Sequence, residues 1–354
     1  MSETALPEPS RRSGPPRWLR RALFALLLLV ILFFVGFVWV QRQLAPVSET
    51  ASPQPFEVEA GWGAAQVAGA LEAAGLVRNA RVFGWYLQVE GLDRDLGEGL
   101  YTLSPALSTP QLAERLAGGG QPRVVPVVIP EGFRAAQVAA RVRAETGVAV
   151  RALVQKPGAL KPAFVPAGAG LEGYLFPASY EFPVGSSAEE IIRRMLRRFE
   201  RELTAETRQQ LKRLGLDVYE WVTLASMVQA EAGSYEEMPV IAGVFLNRLE
   251  SGMLLQSDPT VAYGLGKKLP ELDAVAGDLD QDTPWNTYTR TGLPRTPIGN
   301  PGAHALSVIF AAQRTDAAGE PYLYFLHGLN GEFRPNLTLS DHNRDVAAYL
   351  RSQQ

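Results

Sequence analysis

The chain has 354 residues, 46% of them hydrophobic and 20% charged, a balance typical of folded protein and not of disorder. A net charge of −3 gives no electrostatic footprint for nucleic acid, and the absence of cysteine excludes disulfides, thiolate nucleophiles and cysteine-based metal sites. The length accommodates two or three modest domains.

The N-terminus (1–21) is basic. "RRSGPPRWLRR" carries Arg11, Arg12, Arg17, Arg20 and Arg21 without an acid. The uncharged run "ALFALLLLVILFFVGFVWV" (22–40) follows. At about 1.5 Å per residue it covers most of a ~30 Å hydrocarbon layer. Trp18 and Trp39 flank it, where indoles favour the membrane interface. The arginines place the N-terminus in the cytoplasm and everything after residue 40 outside the membrane. A cleaved signal peptide would have a shorter apolar core and a small-residue cleavage site, so the run reads as a retained anchor. Residues 41–55, rich in Pro and Ser, read as a tether.

An internal repeat follows. "VEAGWGAAQVAGAL" (58–71) matches "IPEGFRAAQVAARV" (129–142), pairing Gly61 with Gly132 and Trp62 with Phe133. Each copy predicts a strand, a glycine turn, an aromatic residue and a short helix, with Val67/Leu71 and Val138/Val142 on one helical face. "STPQLAERL" predicts a helix capped by Ser108 or Thr109, with Pro110 in its first turn. "GGGQP" (118–122) marks a boundary, giving a small α/β module at 56–121 and a second domain at 122–354. There, 187–215 reads as one helix burying Ile191, Met195, Leu196 and Phe199. The stretch 251–303 is rich in Gly, Pro, Asn and Thr, and an irregular region this long inside a domain is usually functional or disordered. Its aromatic residues favour order.

"YEWVTLASMVQAEAG" (219–233) predicts a helix ended by Gly233. Glu231 shares its apolar face with Val228, Met227 and Leu224. Burial and the negative helix end both disfavour the carboxylate and raise its pKa, as a general acid near neutral pH requires. A frayed end reaching water beside Glu236 and Glu237 explains the same residue. Glycoside hydrolysis normally needs a second carboxyl. Glu172, Asp258 and Asp282 are candidates, and spacing does not choose among them. His304, His327 and His342 show no close metal spacing, Ser226 lacks a nucleophile elbow, and no phosphate loop appears.

Several long motifs then occur in fixed order. They are "LEGYLFPASYEF" (171–182), "LASMVQAEA" (224–232), "VFLNRLESGMLLQSDPTVAYGLG" (244–266), "TPWNTYTRTGLPRTPIGNPG" (283–302), "PYLYFL" (321–326) and "LSDHNRDV" (339–346). Together they make the whole chain resemble the MltG (YceG-like) family of endolytic murein transglycosylases. The resemblance implies an α+β protein with one transmembrane helix, a LysM-like module and a mixed α+β catalytic domain. It implies a bacterial inner-membrane enzyme with its catalytic domain outside. That enzyme uses no cofactor or metal and cuts peptidoglycan glycan strands between MurNAc and GlcNAc to leave 1,6-anhydro-MurNAc ends. Penicillin-binding synthases are the implied partners; nucleic acid is not one.

The family's catalytic acid is the second of an E-x-E pair, which falls on Glu231. Its first acid is replaced here by Gln229. Ala178, Ser179 and Pro335 also depart from the family pattern. The missing second carboxyl then has a reason, because the sugar's own C6 hydroxyl replaces water as nucleophile. The resemblance further implies substrate contacts from Ser226, Gln229, Asn247, Arg248, Gln256, Ser257, Asp258, Thr260, Tyr263, Asn286, Thr287, Tyr288, His342 and Asn343. Two readings stay open beside it. One is a non-catalytic wall-binding scaffold for synthases. The other is a two-carboxylate muramidase using Asp258 or Glu172 as base.

Overall fold

The computed structural model describes residues 17–350. Arg11 and Arg12, expected on the cytoplasmic side, lie outside them. The chain divides after Arg123 into two compact units of mixed α+β structure.

The first unit opens with α1 (Arg17–Leu44), the one helix among the described residues long and apolar enough to cross a membrane. β1 (Gln54–Val58), α2 (Ala64–Ala73), α3 (Ala80–Val89), β2 (Gly99–Leu103) and α4 (Thr109–Ala117) follow. β1 and β2 pair antiparallel, with Phe56 opposite Tyr101. Alternation along both strands turns Phe56, Val58, Tyr101 and Leu103 onto the helices. There they meet Val67, Leu71, Phe83, Leu87, Leu112 and Leu116 in one apolar core. Residues 45–53, whose composition reads as a tether, are bonded to this module. Arg78 Nη2 donates to the Pro46 and Val47 carbonyls at 2.7 and 3.1 Å, and Ser104 Oγ to Ala51 O at 2.9 Å. Ser48 N donates to Pro105 O at 3.1 Å.

The second unit begins with β3 (Val124–Ile129), α5 (Ala135–Thr146) and α6 (Arg151–Gln155). β4 (Ala178–Pro183) then pairs antiparallel with β3. The helices α7 (Ala188–Glu200), α8 (Ala205–Leu214), α9 (Val218–Glu231), α10 (Met238–Glu250), α11 (Asp258–Gly264) and α12 (Ala303–Val308) carry the chain to a hairpin, β5 (Tyr324–His327) with β6 (Phe333–Asn336). α13 (Leu339–Tyr349) closes it.

The two repeat copies fold alike. Gly61 and Gly132 take φ of +81° and +75°, a turn that side chains resist. The glutamine of each "AAQVA" reaches back to cap its own helix. Gln66 Oε1 accepts from Gly63 N at 2.9 Å, and Gln137 Oε1 from Arg134 N at 2.8 Å.

The single helix expected over 187–215 is broken. Thr204 Oγ1 accepts from Thr207 N at 3.0 Å and starts α8 anew, while the chain before it turns Leu203 into the core. The α7 face expected to be buried, Ile191, Met195, Leu196 and Phe199, is buried.

α9 runs through the middle of the unit. Every residue from Trp221 to Val228 is buried, so the helix is enclosed on all sides and not on one face only. Trp221 Nε1 donates to Leu306 O at 2.8 Å, locking α9 to α12.

Candidate active site

α9 starts in a reciprocal cap. Asp217 Oδ1 accepts from Glu220 N, and Glu220 Oε2 from Asp217 N, each at 2.8 Å. The helix ends at Glu231, before the glycine expected to stop it, with Ala232 already extended. The Glu237 carboxylate causes this early exit, because it accepts from Gly233 N at 2.6 Å and Ser234 N at 3.1 Å. His327 Nε2 lies 3.1 Å from the same carboxylate. The turn after Glu231 is therefore held between α10 and β5.

Glu231 is partly buried and lines an open cleft of about 610 Å³. Burial pushes its carboxyl up to about 7; the hydrogen bond from Ser257 opposes this and the charge of Asp258 adds to it. Ser257 Oγ donates to Glu231 Oε1 at 2.5 Å. Ser257 is fixed in turn, since Thr287 Oγ1 accepts from its backbone N–H at 2.9 Å and stands 2.9 Å from Thr260 Oγ1. Thr260 Oγ1 donates to Ser257 O at 2.6 Å. The preceding residue, Gln256, has φ +52°, a left-handed conformation that costs a non-glycine residue energy. Its N–H donates to Thr287 O at 3.1 Å and its side-chain oxygen accepts from Arg248 Nη1 at 3.2 Å, which compensates the strain.

Beside Glu231 the cleft is lined by Arg248, Gln256, Asp258, Tyr288, His342 and Asn343 from the expected set. Tyr288 OH donates to Asp258 Oδ1 at 2.5 Å. Burial, that bond and the nearby carboxylates all raise the phenol pKa, so it stays a donor. Arg248 is 6% exposed and donates to the Leu323, Leu254 and Leu255 carbonyls at 2.6 to 3.1 Å. Its guanidinium lies 4.9 Å from the Tyr324 ring centre. His342 stacks on the same ring, with centroids 5.4 Å apart, and its Nδ1 finds no partner among the described residues. Burial first, and then Arg248, lower its pKa and favour the neutral ring.

The remaining expected residues lie outside the cleft lining and bond inward. Ser226 Oγ donates to Thr223 O and accepts from Ile298 N. Gln229 Oε1 accepts from Gly302 N at 3.0 Å. Asn247 Nδ2 donates to the Arg314 and Tyr322 carbonyls while its Oδ1 accepts from Arg314 Nε, all at 2.8 Å. Asn286 Nδ2 donates to Leu279 O and Gln281 O, and its Oδ1 accepts from Tyr288 N. Tyr263 OH donates to Glu172 Oε2 at 2.9 Å. Thr260 and Thr287 reach the site through Ser257.

Of the three candidate second carboxyls, Asp258 alone lines the cleft. Asp282 is an exposed partner of Arg290, at 2.7 Å. Glu172 accepts from Ala135 N, Tyr263 OH and Asn300 Nδ2 at 2.8, 2.9 and 3.3 Å. Tyr324 and His327 complete the cleft wall and were missed as site residues. The signal was present in "PYLYFLH", an aromatic run one residue short of a histidine.

The profile of the YceG-like family matches residues 56–348, which include parts of both units. A protein of Bacillus subtilis (strain 168) named endolytic murein transglycosylase is 29% identical over 337 residues, covering 90% of this chain and 91% of that one. One of the same name from Streptococcus pneumoniae serotype 2 is 29% identical over 353 residues, covering 90% of this chain and 63% of that longer protein. The crystal structure of a yceG-like protein from Listeria monocytogenes superposes with a TM-score of 0.54 at 30% identity, covering 83% of this chain and 99% of the other. With the cleft at Glu231 and this match over most of its length, the chain is a member of the YceG-like family.

Proposed function

We propose that the protein is an endolytic peptidoglycan lytic transglycosylase that cleaves the MurNAc–GlcNAc β-1,4 bond of nascent glycan strands with Glu231 as its only acid and base. The observation that carries this is the placement of Glu231, a carboxyl that lines the cleft with Oε1 held by Ser257 and whose pKa burial raises to about 7. The names of the two relatives support the substrate class.

In the proposed reaction the protonated Glu231 gives its proton to the glycosidic oxygen as the C1–O bond breaks. GlcNAc departs as the alcohol, and positive charge develops at C1 of MurNAc. The C6 hydroxyl oxygen of the same sugar bonds to C1 and its proton passes to the Glu231 carboxylate. Atoms balance without water, and Glu231 ends protonated for the next cycle. Ser257 occupies Oε1 and so presents Oε2 for the transfer. Tyr288 and Tyr324 offer faces for sugar rings, and Arg248, Gln256, His342 and Asn343 offer hydrogen-bonding groups.

α1 serves in this reading as the single inner-membrane anchor, with the N-terminus cytoplasmic and both units outside. The strand–helix–helix–strand order of the first unit supports a LysM-like module. Cell-wall synthases are the partners that a nascent-strand cutter would meet.

A second reading has one observation in its favour. Asp258 lies in the same cleft and a hydrolase would use it to activate water. The product decides. Full-length protein is incubated with uncrosslinked glycan strands and the fragments are weighed. Fragments lighter by one water than reducing-end products are expected. Reducing ends would establish the hydrolase.

A further inference from the structure

α3 carries two apolar stripes. Val82, Phe83 and Leu87 enter the module core. Trp85 and Val89, four apart on another face, are 53% and 60% exposed. Together with Glu90 they form one wall of a groove of about 570 Å³. The opposite wall is α1, through Phe33, Phe37 and Val40. Phe33 and Phe37 remain 75% and 51% exposed, so the walls face each other across a gap that protein does not fill. An apolar groove of this size left in water would be an unfavourable surface.

The other wall of the groove fixes its depth. Phe33 to Val40 is the last part of the uncharged run, about 10 Å of helix. If the run spans the bilayer, these residues lie in the half of the hydrocarbon nearer the module. α3 packs beside them and so cannot stand clear of the membrane. The link between the two helices is bonded, since Arg78, just ahead of the α3 cap Asn79, donates to the carbonyls of Pro46 and Val47 just beyond α1. Indole and valine suit this level, the indole spanning the headgroup boundary and the valine facing acyl chains.

We propose that the module is seated in the leaflet where α1 emerges, with Trp85 and Val89 immersed in lipid and acyl chains filling the groove between α1 and α3. The occupant is lipid because the opposite wall is the anchor, whose surroundings over these turns are acyl chains. This rests on the reading of α1 as a membrane anchor, and the test separates the two.

The chain has no cysteine, so single labelling sites are available without background. Full-length Val89→Cys and Phe33→Cys variants, each carrying an environment-sensitive nitrobenzoxadiazole label, are reconstituted in phosphatidylethanolamine/phosphatidylglycerol vesicles. Both positions are exposed, so the fold tolerates the change. Both labels should shift to the blue and lose fluorescence with brominated lipid. The position 89 label should respond most to bromines near the headgroup and the position 33 label to deeper ones. A position 89 label quenched by aqueous iodide and not by brominated lipid, with position 33 still quenched by lipid, overturns the seat and leaves the anchor standing. A position 89 label shielded from both quenchers means that protein covers the groove, and also overturns the proposal. Iodide quenching at both positions removes the anchor and the seat together.

Discussion

Glu172 and Glu231 are both carboxyls that burial pushes up to about 7, yet they sit in opposite kinds of surroundings. Glu172 accepts from three donors on three segments, with the Arg134 charge nearby, and it does not line the cleft. Glu231 accepts from Ser257 and opens onto the cleft. A raised pKa marks a buried acid, whereas access and an unclaimed oxygen mark one able to move a proton. Glu172 ties the β3–α5 turn, α11 and the 300 region together, whereas among the described residues Glu231 is held through one oxygen, by the Ser257 hydroxyl.

The largest effect should break the symmetry outright. Glu231→Gln is expected to lower the glycan cleavage rate by about 10²–10⁴-fold, the usual worth of general acid–base catalysis, with thermal stability kept. Strand cleavage followed by chromatography alongside calorimetry checks both halves. Near-normal turnover would remove Glu231 from the chemistry.

Glu172→Gln should do the reverse. Above about pH 7, where Glu172 is ionised, an amide donor would replace an accepting oxygen at a cost of about 1–3 kcal/mol, while turnover per folded molecule stays close to wild type. The variant should also change the pH dependence of stability. A folded pKa of about 7 against an ordinary 4.5 means that the folded chain holds the extra proton across that window. The contribution of Glu172 therefore falls as pH rises from about 4.5 to about 7, by at most about 1.4 kcal/mol per pH unit. Denaturant melts at several pH values should show that slope in the wild type and less of it in the variant.

A smaller effect should come from Ser257→Ala. Loss of one hydrogen bond to a carboxylate costs roughly 1.5–3 kcal/mol, about 10- to 100-fold in rate. Because that bond favours the ionised form, its removal should move the basic limb of the rate profile to higher pH. Asp258→Asn should move the limb to lower pH, since the Asp258 charge raises the Glu231 pKa. Unmoved limbs in both variants would mean that neither group tunes Glu231. The smallest change is expected for Asp282→Ala. Its exposed pair with Arg290 is screened by solvent, so neither the melting temperature nor cleavage should change measurably.

Much of this contrast was legible in the sequence where the physics is local. The glycine turns of the two repeat copies, the capped start of α4 and the apolar run of α1 are all short-range signals, and each element forms where they predict it. So does a helix that ends near Glu231. What was not legible depends on groups far apart in the chain. α9 reads as amphipathic but is enclosed all round, because α10, α11 and α12 pack against it. Asn247 reads as a polar group free for a sugar, yet both ends of its amide are bonded to residues 67 and 75 positions away. The part of the cleft wall made by Tyr324 and His327 arrives on β5, which no spacing near Glu231 announces.

The most direct measurement is the titration of the Glu231 carboxyl itself, by infrared difference spectroscopy between wild type and Glu231→Gln. A protonated carboxyl band that persists until about pH 7 is the predicted result. Loss of the band near the ordinary value of 4.5 would mean an ionised carboxylate at neutral pH, unable to give the first proton, and would contradict the account.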